Sequence, residues 1–297
     1  MIVARTVAEM VRRRADYDGT GRTIAFVPTM GALHAGHRSL IKLARALADV
    51  VVVSIFVNPL QFGPNEDYAR YPRPLEADLE ACRADGVDLV FVPSVADLYP
   101  AGRQVSVSAG PMGTTFEGRT RPGHFEGVLT VVLKLFNVVR PQLAVFGQKD
   151  AQQLACVRRM VIDLNLGVEI VAAPTVREPD GLAGSSRNRY LTVAEHRAAL
   201  ALPAALAAGT AEHSPTAALA AAGAILAAAE AEPLFSLDYL AVVNPMTFAQ
   251  VPDDYLGEAL LIVAARVGKT RLIDNAFVSC TTRVAHIGES VPASITR

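Results

Sequence analysis

The sequence of 297 residues has no run of about eighteen apolar residues, the least a membrane-crossing helix needs, although 51% of it is hydrophobic. Its opening, Met1-Ile2-Val3-Ala4-Arg5, leads to Arg12-Arg13-Arg14 instead of the apolar stretch of a secretion signal. Cysteine is scarce. Cys82, Cys156 and Cys280 lie far apart and form no Cys-x-x-Cys pair, so neither a zinc site nor a disulfide framework is expected, and a reducing compartment is. Charge of either sign is also missing in excess: the net formal charge is −1, which leaves no electrostatic footprint for nucleic acid or an anionic membrane. The sequence contains no Gly-x-Gly-x-x-Gly, no Walker loop, no Gly-x-Ser-x-Gly, no His-Glu-x-x-His and no internal repeat. These absences leave a soluble, cytoplasmic protein, long enough for one large domain or two modest ones.

What is present is an alternation of short apolar runs and helical periodicities. Residues 2–17 read as an amphipathic helix with Val3, Val7, Met10 and Val11 on one side. Strands are expected at 24–27, 50–57, 88–92, 143–146 and 168–171, with helices at 76–84, 127–139 and 152–163 between them. The β-branched run from Val50 to Val57 has no alternation, as in a parallel strand covered on both faces. A short strand candidate, Val105–Val107, lies in the glycine- and proline-punctuated stretch 103–123. The pattern predicts an open parallel α/β sheet, with ligands at the carboxyl ends of its strands.

Past Pro174 the character changes. Thr192 to Glu195 is a capping box, and Ser214-Pro215 marks the start of a second alanine-rich helix. Pro203, Gly209, Glu212 and Pro215 interrupt the alanine-rich stretch 198–231, which argues for two soluble helices and against a membrane segment. Strands are expected at 237–243, 259–267 and 271–273. We therefore expect residues 1–175 to form an α/β domain, 176–281 a smaller α+β domain and 282–297 a loosely ordered tail.

Four polar loops carry the candidate chemistry. Pro28-Thr29-Met30-Gly31-Ala32-Leu33-His34-Ala35-Gly36-His37 follows an apolar strand and leads into a helix, the arrangement that aims amides and a positive helix end at an anion. Its histidines, three apart, can face one phosphate, and Gly31 and Gly36 allow close backbone approach to a ligand. An ordinary loop with two exposed histidines is the alternative. Asn58 to Gly63 closes the next strand, and Pro64 to Pro74 reads as a mobile flap. At Gly147-Gln148-Lys149-Asp150, Lys149 can reach a phosphate from a strand–helix junction or can be a surface lysine. Asp150 can take ribose hydroxyls or cap the helix, and Gln153 is a neutral group suited to a hydroxyl or carboxylate. Ser185-Ser186-Arg187 matches phosphate oxygens, or is a serine-rich interdomain loop. Arg119 and Arg121, near His124, form a further cationic loop; His196, His213 and His286 receive no function.

The His34-Ala35-Gly36-His37 segment resembles the His-x-Gly-His signature of the nucleotidyltransferase superfamily. Together with Ser54–Phe62, Gly147–Gln153 and Ser185–Asn188 in that order, the chain is identified as resembling the pantoate–β-alanine ligase family, from the first strand to about residue 280. The resemblance implies a Rossmann-like ATP domain closed by a smaller domain, a cytoplasmic homodimer, Mg²⁺, and ATP-driven condensation of (R)-pantoate with β-alanine through a pantoyl adenylate. It implies ATP contacts at Met30, Gly31, Ala32, Leu33, His34, Ala35, Gly36, His37, Gly147, Gln148, Lys149, Asp150, Val176, Gly184, Ser185, Ser186 and Arg187. His34, His37 and Lys149 would be catalytic, with His37 the proton donor. Gln61 and Gln153 would hold pantoate, and Gln61 would also lie near β-alanine. No metal ligand is assigned, because Mg²⁺ would travel on the ATP phosphates. Ala35, Gln148, Ala151 and Gly184 depart from the family pattern, and bear on the tightness of nucleotide binding more than on the reaction. A nucleotidylyltransferase or a non-catalytic ATP- or pantoate-binding protein are the rival readings.

Overall fold

The computed structural model describes residues 1–64, 66–101 and 103–281; the expected tail 282–297, with His286, lies outside the described residues. The first half runs β1 (Ile2–Ala4), α1 (Val7–Ala15), β2 (Ile24–Thr29), α2 (Ala35–Leu47), β3 (Val50–Ile55), α3 (Leu75–Ala84), β4 (Leu89–Phe91), α4 (Val95–Leu98), α5 (Phe116–Thr120) and α6 (His124–Val139). It continues with β5 (Leu143–Gly147), α7 (Ala151–Asp163), β6 (Glu169–Ala173), α8 (Val193–Ala199), α9 (Ala201–Thr210), α10 (Pro215–Glu230), β7 (Phe235–Val243), β8 (Gly257–Val267) and β9 (Thr270–Cys280).

β1 to β6 form one parallel sheet in the order β1-β4-β3-β2-β5-β6. The strands step outward from β2 in both directions, so the order reverses between β2 and β5. That reversal opens a crevice at the carboxyl ends of these two neighbours. Both faces of the sheet are covered. Ile24, Phe26, Val52 and Phe146 pack with Leu129 and Phe136 on one side, while Ala25, Val27, Val53 and Val145 pack with Leu40 and Ile41 on the other. Burying a side chain of this size is worth about 1.5–3 kcal/mol. The two-sided cover is why β2 and β3 read as unbroken apolar runs.

β7, β8 and β9 form a separate antiparallel sheet. Leu261, Val263 and Ala265 of β8 face a core with Leu202, Leu206 and Leu226. Leu260 and Ile262, which alternate with them, face Phe116, Ala151, Ala155 and Phe248 and so join the two sheets. Across the same boundary Arg271 donates to Glu117 Oε1 and Oε2 at 2.6 and 2.7 Å, and the Tyr239 hydroxyl donates to Glu117 Oε1 at 2.9 Å.

The structure corrects three expectations. Residues 2–17 are not one helix: Ile2–Ala4 pairs with Leu89–Phe91 as an edge strand, and the helix begins after Thr6, whose side chain accepts from the Glu9 amide. No strand forms at Val105–Val107, where Val105 is 81% exposed and the Val107 amide donates to the Thr130 hydroxyl at 3.0 Å. The last strand does not stop at Ile273. Asp274 and Asn275 interrupt its apolar pattern, yet both are buried with polar partners and β9 continues to Cys280. The alanine-rich stretch folds as the end of α8, then α9 and α10, and no described helix is long and apolar enough to cross a membrane. The Thr192–Glu195 capping box and the Ser214 cap before Pro215 form as expected.

Candidate active site

The β2–α2 turn is bent around a buried carboxylate. Asp78 of α3, 2% exposed, accepts from the Ala32 and Leu33 amides at 2.9 and 2.7 Å. Gly31 sits at φ +82°, where a Cβ would lie 2.9 Å from Asp78 Oδ2 and 3.0 Å from the Ile55 side chain. The turn delivers His34 as the N-cap of α2, with its Nδ1 accepting from the Gly36 amide at 3.1 Å. His37 Nδ1 in turn accepts from the His34 amide at 3.4 Å. A Cβ at Gly36 would stand 2.8 Å from His34 Cε1. Both glycines therefore make room for the protein's own side chains.

With each Nδ1 accepting from a backbone N–H, the proton of each neutral ring resides on Nε2. The two rings lie 4.2 Å apart between centroids. Burial, and next the positive charge of Lys149, lowers the His34 pKa. Burial, and next His34, pushes His37 down to about 4. Both rings are thus neutral donors at physiological pH.

Gln61 is oriented by a chain of hydrogen bonds whose polarity backbone groups fix. The Leu60 amide and the Tyr99 hydroxyl donate to Asn58 Oδ1 at 3.3 and 2.8 Å. Asn58 Nδ2 donates to the Gly127 carbonyl at 3.0 Å and to Gln61 Oε1 at 3.1 Å. Gln61 must then turn Nε2 outward, where it stands 3.0 Å from Met30 Sδ. Close by, Arg121 grips Glu66 with two bonds of 2.7 Å. Burial raises the Glu66 pKa, but hydrogen bonding and charge from Arg121 outweigh it and hold the carboxylate below its usual value. Arg121 can only donate, so His124 Nε2 accepts from it at 3.0 Å and Nδ1–H donates to the Gln61 carbonyl at 2.9 Å. Burial and the Arg121 charge push His124 down to about 4.

After β5, Gly147 to Asp150 turns into α7. A half-open cavity of about 540 Å³ spans the space between the two sheets and is lined by Lys149, Asp150, Gln153, Ser185 and Arg187. Glu66, Arg121 and His124 line it too, as do Arg266 at the end of β8 and Lys269 of the β8–β9 turn. Asp150 is the N-cap residue of α7 but makes no capping bond with its side chain. Ala151 lies in the apolar layer that joins the two sheets. His34, His37, Met30 and Gln61 are not in the cavity wall. The histidines adjoin it electrostatically through Lys149 and Asp150, while Met30 borders a separate space of about 280 Å³.

The 176–188 loop is a small hairpin. The Gly184 amide donates to the Val176 carbonyl at 2.8 Å, and Arg177 bridges to Ala183. Gly184 does not have a left-handed φ, but a Cβ there would meet the Val176 oxygen at 3.0 Å. Ser185 Oγ accepts from the Arg187 amide at 3.2 Å, and Asn188 folds back on Glu178 Oε1 and the Ala183 carbonyl. Ser185 and Arg187 face the cavity; Ser186 and Val176 do not line it. His196, given no function from sequence, bonds to Asp180 at 2.6 Å.

Sequence reasoning missed Asp78, the orienting role of Asn58, and the Glu117–Arg271 bridge. Asp78 left no signal, being one acid among several on an amphipathic helix. The Asp274-Asn275 pair did leave one: two polar residues inside an apolar strand.

Residues 2–277 match the family model described as pantoate–beta-alanine ligase. The chain is 60% identical over 284 residues to a pantothenate synthetase of Acidothermus cellulolyticus, covering 92% of this chain and 90% of that protein. With that of Thermobifida fusca it shares 61% identity over 283 residues, covering 92% and 94%. Among solved structures, pantothenate synthetase from Thermus thermophilus superposes with a TM-score of 0.85 at 48% identity, over 93% of this chain and 99% of that one. Pantoate–beta-alanine ligase from Francisella tularensis, solved in complex with beta-gamma ATP and beta-alanine, gives 0.78 at 36% identity, over 93% and 97%.

Proposed function

The chain belongs to the pantoate–beta-alanine ligase family, and from that premise we propose that it condenses (R)-pantoate with β-alanine at the expense of ATP, through an enzyme-bound pantoyl adenylate. A pantoate carboxylate oxygen attacks the α-phosphorus, and the bond to the bridging oxygen breaks to release pyrophosphate. The β-alanine amine then attacks the acyl carbon and loses a proton as the amide forms, and the C–O electron pair leaves with AMP. Neither step needs a nucleophile from the protein.

The observation that carries this reading is the meeting of the β2–α2 and β5–α7 turns at the reversal of strand order. It puts the two neutral imidazoles within electrostatic reach of Lys149. Negative charge grows on the phosphates in the first step, and fixed donors at that place lower its barrier most. Lys149 and Arg187 supply positive charge; His34 and His37 supply Nε2–H donors. In this account the familial proton donor His37 donates a hydrogen bond and keeps its proton. Gln61 and Gln153 present amides that bind the pantoate carboxylate without protonating it. Gly147, Gln148 and Asp150 hold the phosphate and ribose, as do the backbone from Met30 to Gly36, Val176 and the Gly184–Arg187 loop.

Mg²⁺ carried on ATP would offset phosphate charge when bound. The residues the reading places at the phosphates, Lys149 and Arg187, are cations and not metal ligands, so Mg²⁺ would be held by phosphate oxygens and water. Among the described residues, the three-ligand group of Glu178, Asp180 and His196 does not line the cavity. The same reading takes residues 1–175 as the ATP and pantoate domain, 176–281 as the lid, and the protein as a cytoplasmic homodimer with no nucleic-acid or membrane partner.

The test is nucleotide accounting. AMP release should require both pantoate and β-alanine, while pyrophosphate–ATP exchange should require pantoate alone. An adenylyl group retained on the product would mean a nucleotidylyltransferase, and binding without turnover a non-catalytic protein.

A further inference from the structure

Asn275 of β9 reaches across to the turn that carries Lys149. Its Nδ2 donates to the Gln148 and Lys149 carbonyls, both at 3.0 Å, over more than a hundred residues of sequence. The residue is 4% exposed, and its buried Oδ1 has no partner among the described residues. The orientation of the amide is thus unambiguous, because a flip would set Oδ1 against two carbonyl oxygens. An orphaned acceptor is a standing cost, incurred here where the other end of the amide secures two carbonyls at once.

The anchor is itself fixed. Arg177 donates to both carboxylate oxygens of Asp274 at 2.7 and 3.1 Å, and the Asn275 amide donates to Asp274 Oδ1 at 2.8 Å. Arg177 directly follows Val176, so one two-residue step of β9 ties together two segments of the proposed nucleotide site. From its own side the Lys149 turn has the bond from the Gln148 amide to the Ala173 carbonyl, and no side-chain cap from Asp150.

We infer that Asn275 is a positioning residue for adenylation: it clamps the two carbonyls flanking Lys149 and so fixes where the ammonium meets the phosphates. This rests on the role proposed above for Lys149. Misplacing a charge-stabilising group by about 1 Å costs about 10²-fold in rate, so the clamp acts on kcat of the first half-reaction. The attack of β-alanine on preformed pantoyl adenylate does not depend on it.

The experiment is a double-mutant cycle of Asn275→Leu and Lys149→Ala, read by pantoate-dependent pyrophosphate–ATP exchange on protein shown by its melting curve to be folded. Asn275→Leu is near-isosteric and has no donor. It should lower exchange kcat by about 10- to 10²-fold, with the KM for pantoate and the β-alanine half-reaction changed less than about two-fold. In the Lys149→Ala background the same change should cost under about two-fold, because the group it positions is gone. An equal loss in both backgrounds, or near-normal exchange in Asn275→Leu, overturns the inference. If Asn275→Leu does not fold, Asn275→Asp, which turns oxygens toward the two carbonyls, enters the same cycle with the same outcomes. Unimpaired exchange in Lys149→Ala alone overturns the Lys149 role, and this inference with it, and the single variant identifies that case.

Discussion

Asn58 Nδ2 donates to Gln61 Oε1, and because the Leu60 amide and the Gly127 carbonyl hold Asn58 at both ends, Gln61 has one orientation. Asn58→Leu removes that constraint. The amide of Gln61 can then rotate its oxygen toward an anionic carboxylate. Losing a hydrogen bond to a charged group costs about 1.5–3 kcal/mol, so the KM for pantoate in the exchange reaction should rise about 10- to 10²-fold with a smaller change in kcat. An unchanged KM would remove Gln61 from the pantoate pocket.

Gly36→Ala is expected to disable His34 without touching it. The added methyl carbon would stand 2.8 Å from His34 Cε1, displacing the ring from the Gly36 amide that fixes its tautomer. Loss of the cap lowers stability by about 0.5–2 kcal/mol, and exchange kcat should fall toward the level of His34→Ala. Urea unfolding and exchange kinetics on the two variants check both halves; full activity in Gly36→Ala would show that the cap does not set the ring.

The histidines should titrate abnormally. His37 and His124 are both pushed down to about 4, chiefly by burial. A lowered imidazole pKa adds stability at pH above the ordinary value of about 6.5, and that stability is lost as pH falls toward 4. NMR of the Cε1–H resonances, assigned with His37→Gln and His124→Gln, should find two rings still neutral at about pH 5.5. A midpoint near 6.5 for His37 would contradict the neutral-donor account.

Glu117 and Arg271 join the two sheets through a buried carboxylate and a half-buried guanidinium. Arg271→Ala leaves the carboxylate buried with only Tyr239 for company and should cost about 3–5 kcal/mol in urea unfolding. The double variant Glu117→Leu/Arg271→Met should recover most of it, since no buried charge is left unpaired and Asp238, which loses its bond from Arg271, is exposed to water. Equal losses in the single and double variants would mean that the pair is not the source of the stability.

Much of this arrangement was legible because it is written in local pattern. Unbroken apolar runs such as Val50–Ile55 reported a sheet covered on both faces, and polar loops at strand ends marked the turns after β2 and β5. What the sequence hid are partnerships between distant residues. Asp78 has no meaning until α3 is laid against the β2–α2 turn, and Asn275 none until β9 meets the Lys149 turn. The helix read over 2–17 failed for the same reason: β-branched Ile2 and Val3, with Ala4, found a distant strand edge at Leu89–Phe91. Gly184 departs from the family pattern. Its backbone is unexceptional, and the nearest constraint is the carbonyl of Val176, eight residues earlier.

The most direct test of the central claim follows oxygen. With (R)-pantoate labelled by ¹⁸O in both carboxylate positions, attack of the carboxylate on the α-phosphorus and departure of AMP carry one label into AMP and leave one in the amide product. Mass spectrometry of a complete reaction should therefore find one ¹⁸O per AMP and none in pyrophosphate. Unlabelled AMP, or label in pyrophosphate or orthophosphate, would mean that the acyl group is activated elsewhere and that the two turns at β2 and β5 do not perform the chemistry assigned to them.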